Sequence, residues 1–429
     1  MAPDESAVLD ALDDSLRKEL VEMTCEMVAI PSPTGSEGAM AQYLAERMRG
    51  LGLKTEFQEV EPGRNNVVAR WKGGGRGSSL LFNGHFDTGL SGDEGTTRFG
   101  LLPQPRIVDG EWIYGLGASN MKVAFACYYG AVKMLQKAGV ELAGDIVVSG
   151  VVGETEKAAT DQYGGPAFRA GGVGTMYAAH HGALADAAVI GEPTGLLVQT
   201  GNTSYVYGRI LTTGSAQHTW SKEFGVDAIG KAVRILHALR SWEPEFERRH
   251  PHPRMGSRIG VGAIQGGRPF QPCVTPAECM LYVDFRFPPT DSVMQVEHEV
   301  RDFLRDLQVR EPDLDTDLSL YLVRPGYEIP EDQPVVQRIE EAHRDVFGQA
   351  PGRPSRYRYA VSADTSILDA WGVPSLTYGP GGIRRDGGYS VYDEHGELVG
   401  IQNLVACTKV YALTALLLCR SIPSAAAVK

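Results

Sequence analysis

The chain has 429 residues, 43% hydrophobic and 22% charged, a composition that excludes gross disorder and leaves room for two or three domains. Its 41 basic and 53 acidic residues give a net charge of −12, which argues against nucleic acid or an anionic membrane surface as the main partner. The six cysteines include no C-x-x-C pair, which excludes a zinc ribbon or a thioredoxin-type motif. The N-terminus, Met1-Ala2-Pro3-Asp4-Glu5, carries two acidic side chains and lacks an apolar signal core, and no apolar run approaches the ~20 residues of a membrane span. A cytoplasmic location is expected.

Residues 6–29 carry helical periodicity and end before Pro31-Ser32-Pro33-Thr34-Gly35. A second helix is expected over 36–52. Strand-like runs follow at 54–60 and 66–71, then a short apolar run at 79–85 that suits a fully buried strand. A helix over 121–138 precedes buried strands at 145–152 and 187–190. Strands alternating with helices predict a mixed, mostly parallel α/β sheet. The texture changes near 200. Strands at 206–212, 258–264 and 278–287 alternate with helices at 226–241 and 291–307, an order that fits a ferredoxin-like α+β domain. From about 325 the α/β texture resumes, with a helix at 333–347, strands near 356–361 and 374–378, and a closing helix at 400–420. The expected organisation is a discontinuous catalytic domain, 1–199 with 323–429, interrupted by an inserted domain at 200–322.

Parallel sheets place their sites at the C-terminal ends of strands. Four places there carry polar residues. Gly84-His85-Phe86-Asp87 offers an imidazole ligand and an aspartate two residues on that can hold its tautomer. Ser119-Asn120-Met121-Lys122 opens a helix, where Ser119 or Asn120 also suits a cap. Gly153-Glu154-Thr155-Glu156 and Gly191-Glu192-Pro193-Thr194 each leave an apolar strand. One histidine and three glutamates in such positions form a nitrogen and oxygen donor set suited to a divalent metal.

These segments, with Ser215-Ala216-Gln217-His218-Thr219 and Tyr378-Gly379-Pro380-Gly381, resemble in order the co-catalytic zinc metallopeptidase family. That family includes acetylornithine deacetylase, succinyl-diaminopimelate desuccinylase, aminoacylase and glutamate carboxypeptidases. The resemblance implies a metal-holding catalytic domain and an inserted lid domain through which the chain forms a homodimer. It implies that His218 reaches across the dimer to a developing oxyanion, and that Arg286 is a strand arginine, more often structural than substrate-binding.

The chain departs from the family pattern at the second metal. Asn120 stands where the family has a bridging aspartate. Glu154 falls on the general base and Thr155 on a ligand of the second metal; a short slip gives these roles to Thr155 and Glu156. Ser390 or Asp393 falls at the last metal histidine, and His395 matches with a shift. The resemblance therefore implies one divalent ion per chain (zinc, manganese or similar), held by His85, Glu192 and Asn120, with Glu156 as a further candidate ligand. A neutral amide offsets the repulsion between two dications less well than a carboxylate does.

The expected function is metal-dependent hydrolysis of a C–N bond in a small carboxylate-bearing molecule. Glu154 serves as base, Asp87 orients His85, and His218 stabilises negative charge. Backbone N–H groups of Gly379-Pro380-Gly381-Gly382 can meet the carboxylate; Arg384 and Arg385 beside them either add charge or are simply solvated. A single ion polarises an amide less than two do, which leaves room for an activated substrate such as an electron-poor aromatic amine, with ammonia leaving; resemblance to one member of the family implies 5-nitroanthranilate as that amine. An N-acyl amino acid or dipeptide is the alternative substrate. A binding protein that has lost activity is the third reading.

Overall fold

The computed structural model describes residues 3–95, 98–357 and 362–420. The chain divides into two compact units. The first comprises Met1–Gly201, Ile329–Pro354 and Ala363–Lys429; the second comprises Asn202–Glu328 and Ser355–Ser362.

In the first unit a six-stranded sheet runs in the order Lys54–Glu61, Arg64–Trp71, Ile146–Val151, Leu80–His85, Ala187–Ile190, Ser375–Thr377. The last four strands are parallel, and the first two form an antiparallel hairpin on one edge. Every residue of Leu80–His85, Ile146–Val151 and Ala187–Ile190 is buried, as expected for strands covered on both faces. Pairing of His85 with Val151 and of Asn83 with Ile190 brings the C-terminal ends of the three strands level. Whatever follows each strand therefore emerges at one edge. A smaller sheet of four short antiparallel strands, Tyr392–Asp393, Gly396–Gly400, Trp112–Tyr114 and Arg106–Val108, was not foreseen from the sequence.

The helix Lys122–Lys137 is buried along most of its length and packs against Asp14–Ala29 and Ile401–Cys419. Ile401–Cys419 corrects the reading that no apolar run approaches membrane-span length. By length and composition it is apolar enough to cross a membrane, but most of it is buried inside the unit, as a core helix is. The single helix expected over 6–29 is two, Pro3–Asp10 and Asp14–Ala29. Asp13 separates them by capping the second, its Oδ1 accepting from Leu16 N at 2.9 Å. The strand expected near 356–361 falls largely outside the described residues, and 356–357 form a turn.

The second unit has a four-stranded antiparallel sheet in the order Arg258–Gly266, Glu278–Phe287, Ser204–Thr213, Asp317–Arg324. With helices Ala228–Arg249 and Val293–Arg310 this is the β-α-β-β-α-β order of a ferredoxin-like fold. Alternate residues Cys279, Leu281, Val283 and Phe285 join Ile235, Leu239, Phe246, Val300 and Leu304 in its core. The first helix runs past the expected 241, with Pro244 inside it, because Phe246 is buried in that core and Trp242 packs against it. The unit extends beyond the expected 322 because Asp317–Arg324 pairs with Ser204–Thr213. Arg356 returns to it as well, its carbonyl accepting from Gly256 N at 3.3 Å.

In the first unit, Nδ1 of His343 lies 2.8 Å from the Tyr378 hydroxyl. Burial, helped by the Arg344 charge, pushes the His343 imidazole down to about 4. The folded chain keeps it neutral at pH values where the unfolded chain, near 6.5, takes up a proton. Stability from this group is therefore present above pH 6.5 and lost as pH falls toward 4. The melting-temperature advantage of the wild type over His343→Gln is expected to shrink between pH 7.5 and 5. A constant gap removes His343 from the acid response.

Candidate metal centre

The level strand ends bring together His85, Glu154 and Glu192. His85 is the last residue of its strand, Glu154 lies three residues past Val151, and Glu192 lies two past Ile190. All three are buried, and one ligand atom of each lies within 4.8 Å of the others, the single such group found among the described residues. His85 Nε2 is 3.4 Å from Glu192 Oε1 and 3.8 Å from Glu154 Oε2. Asn120 Oδ1 is 2.9 Å from the same nitrogen. Glu192 Oε1 is buried and accepts no hydrogen bond. A buried carboxylate oxygen left in that state carries a large desolvation cost unless a cation meets it. The donor set fits a divalent ion: imidazole nitrogen, two carboxylates and an amide oxygen. Burial opposes charge on His85, yet Glu192 and Asp87 together hold its pKa well above the ordinary value, so a proton occupies Nε2 until a metal cation displaces it.

Asp87 does more than orient His85 with its carboxylate. His85 Nδ1 lies 2.8 Å from the backbone carbonyl of Asp87, and the carboxylate oxygen is farther away at 3.4 Å. That carbonyl sets the tautomer with the proton on Nδ1, leaving Nε2 to face the donor set. The Asp87 carboxylate holds the neighbouring loop. It accepts from Glu154 N at 3.0 Å, Thr155 N at 3.1 Å, Thr155 Oγ1 at 2.7 Å and Thr34 Oγ1 at 3.1 Å. Burial raises its pKa, but the His85 charge and these donors outweigh that and hold it far below the usual range. Thr155, at the position expected to have lost a metal ligand, is thus a bracing residue. Thr34 in the Pro31–Gly35 turn is a partner that sequence reading passed over.

Other expected residues stand apart. Glu156 is partly exposed and outside the three-residue group. Both Asp393 oxygens are engaged, one by the Tyr114 hydroxyl at 2.6 Å and one by His395 N at 2.7 Å. The His395 ring stacks on Phe99 with centroids 4.9 Å apart. Ser390 Oγ accepts from Tyr392 N at 3.2 Å. None of these joins the His85 group. The Gly379–Gly382 loop offers less than expected, because Gly379 N donates to Thr194 Oγ1 and Gly382 N to Ser119 Oγ, each at 3.0 Å. Arg384 and Arg385 pair with Asp386 and Asp109. Arg286 pairs with Asp284 at 2.8 Å and lies over the Tyr205 ring. His218 lies in the second unit, exposed, and Nδ1 accepts from Trp220 N at 3.4 Å.

Two buried charges near Asn120 were not foreseen as partners. Lys122 donates from Nζ to the carbonyls of Met27 and Ile30 at 3.0 and 2.7 Å, at the C-terminal end of Asp14–Ala29. Burial pushes it down to about 7, against the pull of Glu397. Burial pushes Glu397 up to about 7, opposed by backbone N–H groups and by Lys122.

An α/β sheet with a buried histidine–carboxylate centre at its C-terminal edge, joined in one chain to a ferredoxin-like unit, defines a metal-binding hydrolase class. Residues 81–417 match the model of peptidase family M20/M25/M40, and the chain belongs to that family. It is similar to N-formyl-4-amino-5-aminomethyl-2-methylpyrimidine deformylase of Bacillus subtilis (strain 168), 26% identical over 92% of this chain and 93% of that one. It is similar to acetylornithine deacetylase of Vibrio campbellii, 28% identical over 72% of this chain and 77% of that one. Its fold is similar to the di-peptidase Dug1p from Saccharomyces cerevisiae, with a TM-score of 0.76, 13% identity, and 99% and 100% of the two chains covered. The chain is a metal-dependent hydrolase of C–N bonds.

Proposed function

We propose that the chain removes a small acyl group, formyl or acetyl, from the nitrogen of a small molecule, using one divalent ion at His85, Glu192 and Asn120. The buried His85–Glu154–Glu192 group carries this reading, and the deformylase and deacetylase named above support the amide as the bond broken. A divalent ion bound there would supply a Lewis acid and lower the pKa of a bound water toward neutrality. The residues do the rest. Nε2 of His85, the Glu192 carboxylate and the Asn120 amide oxygen would hold the ion, and the 154–155 loop is held by Asp87. Glu154 takes the proton of the attacking water and returns it to the leaving nitrogen. His218 donates to the developing negative charge, and a homodimer supplies it from the partner. All six cysteines are free thiols, which supports a reducing, cytoplasmic setting.

The test is a panel of N-formyl and N-acetyl amines assayed for amine release. Turnover of at least one supports the reading. A second reading draws on the neutral Asn120 beside His85 and on Asp393 being held by Tyr114. A single, less polarising ion suits 5-nitroanthranilate, so the panel includes it with an ammonia readout. Ammonia release with no amide turnover overturns the first reading in favour of the second.

Elemental analysis of the purified chain is expected to find about one tightly held divalent ion. Two ions at full occupancy, roughly 3.5–4 Å apart, overturn the single-ion centre.

A further inference from the structure

We propose that Glu397 is a positioning residue that holds Asn120 against His85 through the backbone of the 117–120 turn. A single carboxylate oxygen, Oε2, accepts from Gly117 N at 3.1 Å, Ser119 N at 3.2 Å and Asn120 N at 3.1 Å. Convergent backbone N–H groups on one anion form a nest, whose geometry follows the anion. Gly117 supplies the turn's positive φ of 83°, and a Cβ there would come within 2.9 Å of the Lys122 side chain. The nest opens directly into helix Lys122–Lys137, so the carboxylate also meets the positive end of that helix.

The anion is itself held firmly. Glu397 is 3% exposed and lies on the strand Gly396–Gly400, which pairs with Trp112–Tyr114. Glu397 N donates to Gly100 O at 3.1 Å, and Gly115 N donates to Glu397 O at 3.3 Å. At the other end of the turn, Asn120 Oδ1 is 2.9 Å from His85 Nε2. A connected path thus runs from the small sheet, through one carboxylate and one turn, to the amide beside the metal-binding histidine. It explains why a buried carboxylate that touches neither His85 nor Glu192 sits so close to the centre.

The proposal rests on the reading that the His85 group holds a divalent ion. The test measures Zn²⁺ and Mn²⁺ affinity of the full chain by competition with a chromogenic chelator. Glu397→Ala is expected to weaken binding by about 10–100-fold, the usual effect of removing a group that orients a ligand. Glu397→Gln keeps an acceptor oxygen and is expected to recover most of it. Because Glu397 acts through Asn120, the loss is expected to vanish on an Asn120→Ala background. An equal loss on both backgrounds assigns Glu397 a general structural role and overturns the proposal. If Glu397→Ala does not fold, Glu397→Asp keeps the charge but withdraws it by one methylene, and about a 10-fold loss is expected. Wild-type affinity in that variant overturns the proposal too. A wild-type chain that binds neither ion overturns the metal centre and the clamp with it. A wild-type chain that binds while Glu397→Ala binds as tightly overturns the clamp alone.

Discussion

Glu154→Gln is expected to lower turnover by roughly 10²–10⁴-fold while leaving the fold and the bound ion in place. Its backbone N–H is pinned to Asp87 Oδ1 at 3.0 Å, so the substitution does not free the loop. Its carboxylate is buried, with Oε2 3.8 Å from His85 Nε2. That is too long for a hydrogen bond to His85, and a carboxylate in this group would take a proton from a water activated by the ion. Glutamine has the same shape and still accepts a hydrogen bond, but it cannot take a proton. His85, Glu192 and Asn120 remain to hold the ion. The assay pairs kcat with metal content. Loss of the ion along with activity makes Glu154 a ligand rather than a base. Near-normal turnover, with the loss seen instead in Glu156→Gln, moves the base two residues along. The partly exposed place of Glu156 outside the three-residue group disfavours that outcome.

The central sheet was legible because 80–85, 146–151 and 187–190 are apolar runs between turns, the pattern of strands covered on both faces. Level strand ends then turn three distant stretches of sequence into neighbours, which is why His85, Glu154 and Glu192 could be named before any coordinates. Two things were not legible. The short strands of the small sheet, two to five residues each, hold too little of a two-residue period to be seen. With them went Glu397, whose nearest contact in the 117–120 turn lies 277 residues away in the chain. The choice between atoms of one residue was hidden as well. Asp87 looked like a carboxylate partner for His85, but its backbone carbonyl sits closer and its carboxylate braces Thr155. Only the path of the chain after His85 decides that.

His218→Ala is expected to cost about 10²–10³-fold in kcat, the usual effect of removing one donor to a developing oxyanion. The Nδ1 of His218 accepts from Trp220 N, so the ring proton stands on Nε2 and makes that nitrogen a donor. The side chain is exposed on the second unit, whereas His85, Glu154 and Glu192 belong to the first. A donor placed there acts either within its own chain or across a two-fold interface. Mixing subunits separates the two cases. Glu154→Gln and His218→Ala chains are each expected to be nearly inactive alone. In a heterodimer with crossed sites, one site pairs mutant with mutant and the other pairs the intact Glu154 with the intact His218. Random exchange of equal amounts then restores about a quarter of wild-type activity in a two-fold dimer. If His218 serves its own chain, every site in the mixture carries one defect and nothing is restored. Native mass spectrometry of the mixture shows that exchange has occurred. Absence of recovery in an exchanged sample confines His218 to its own chain or removes it from catalysis, and the single-variant kcat decides between those two.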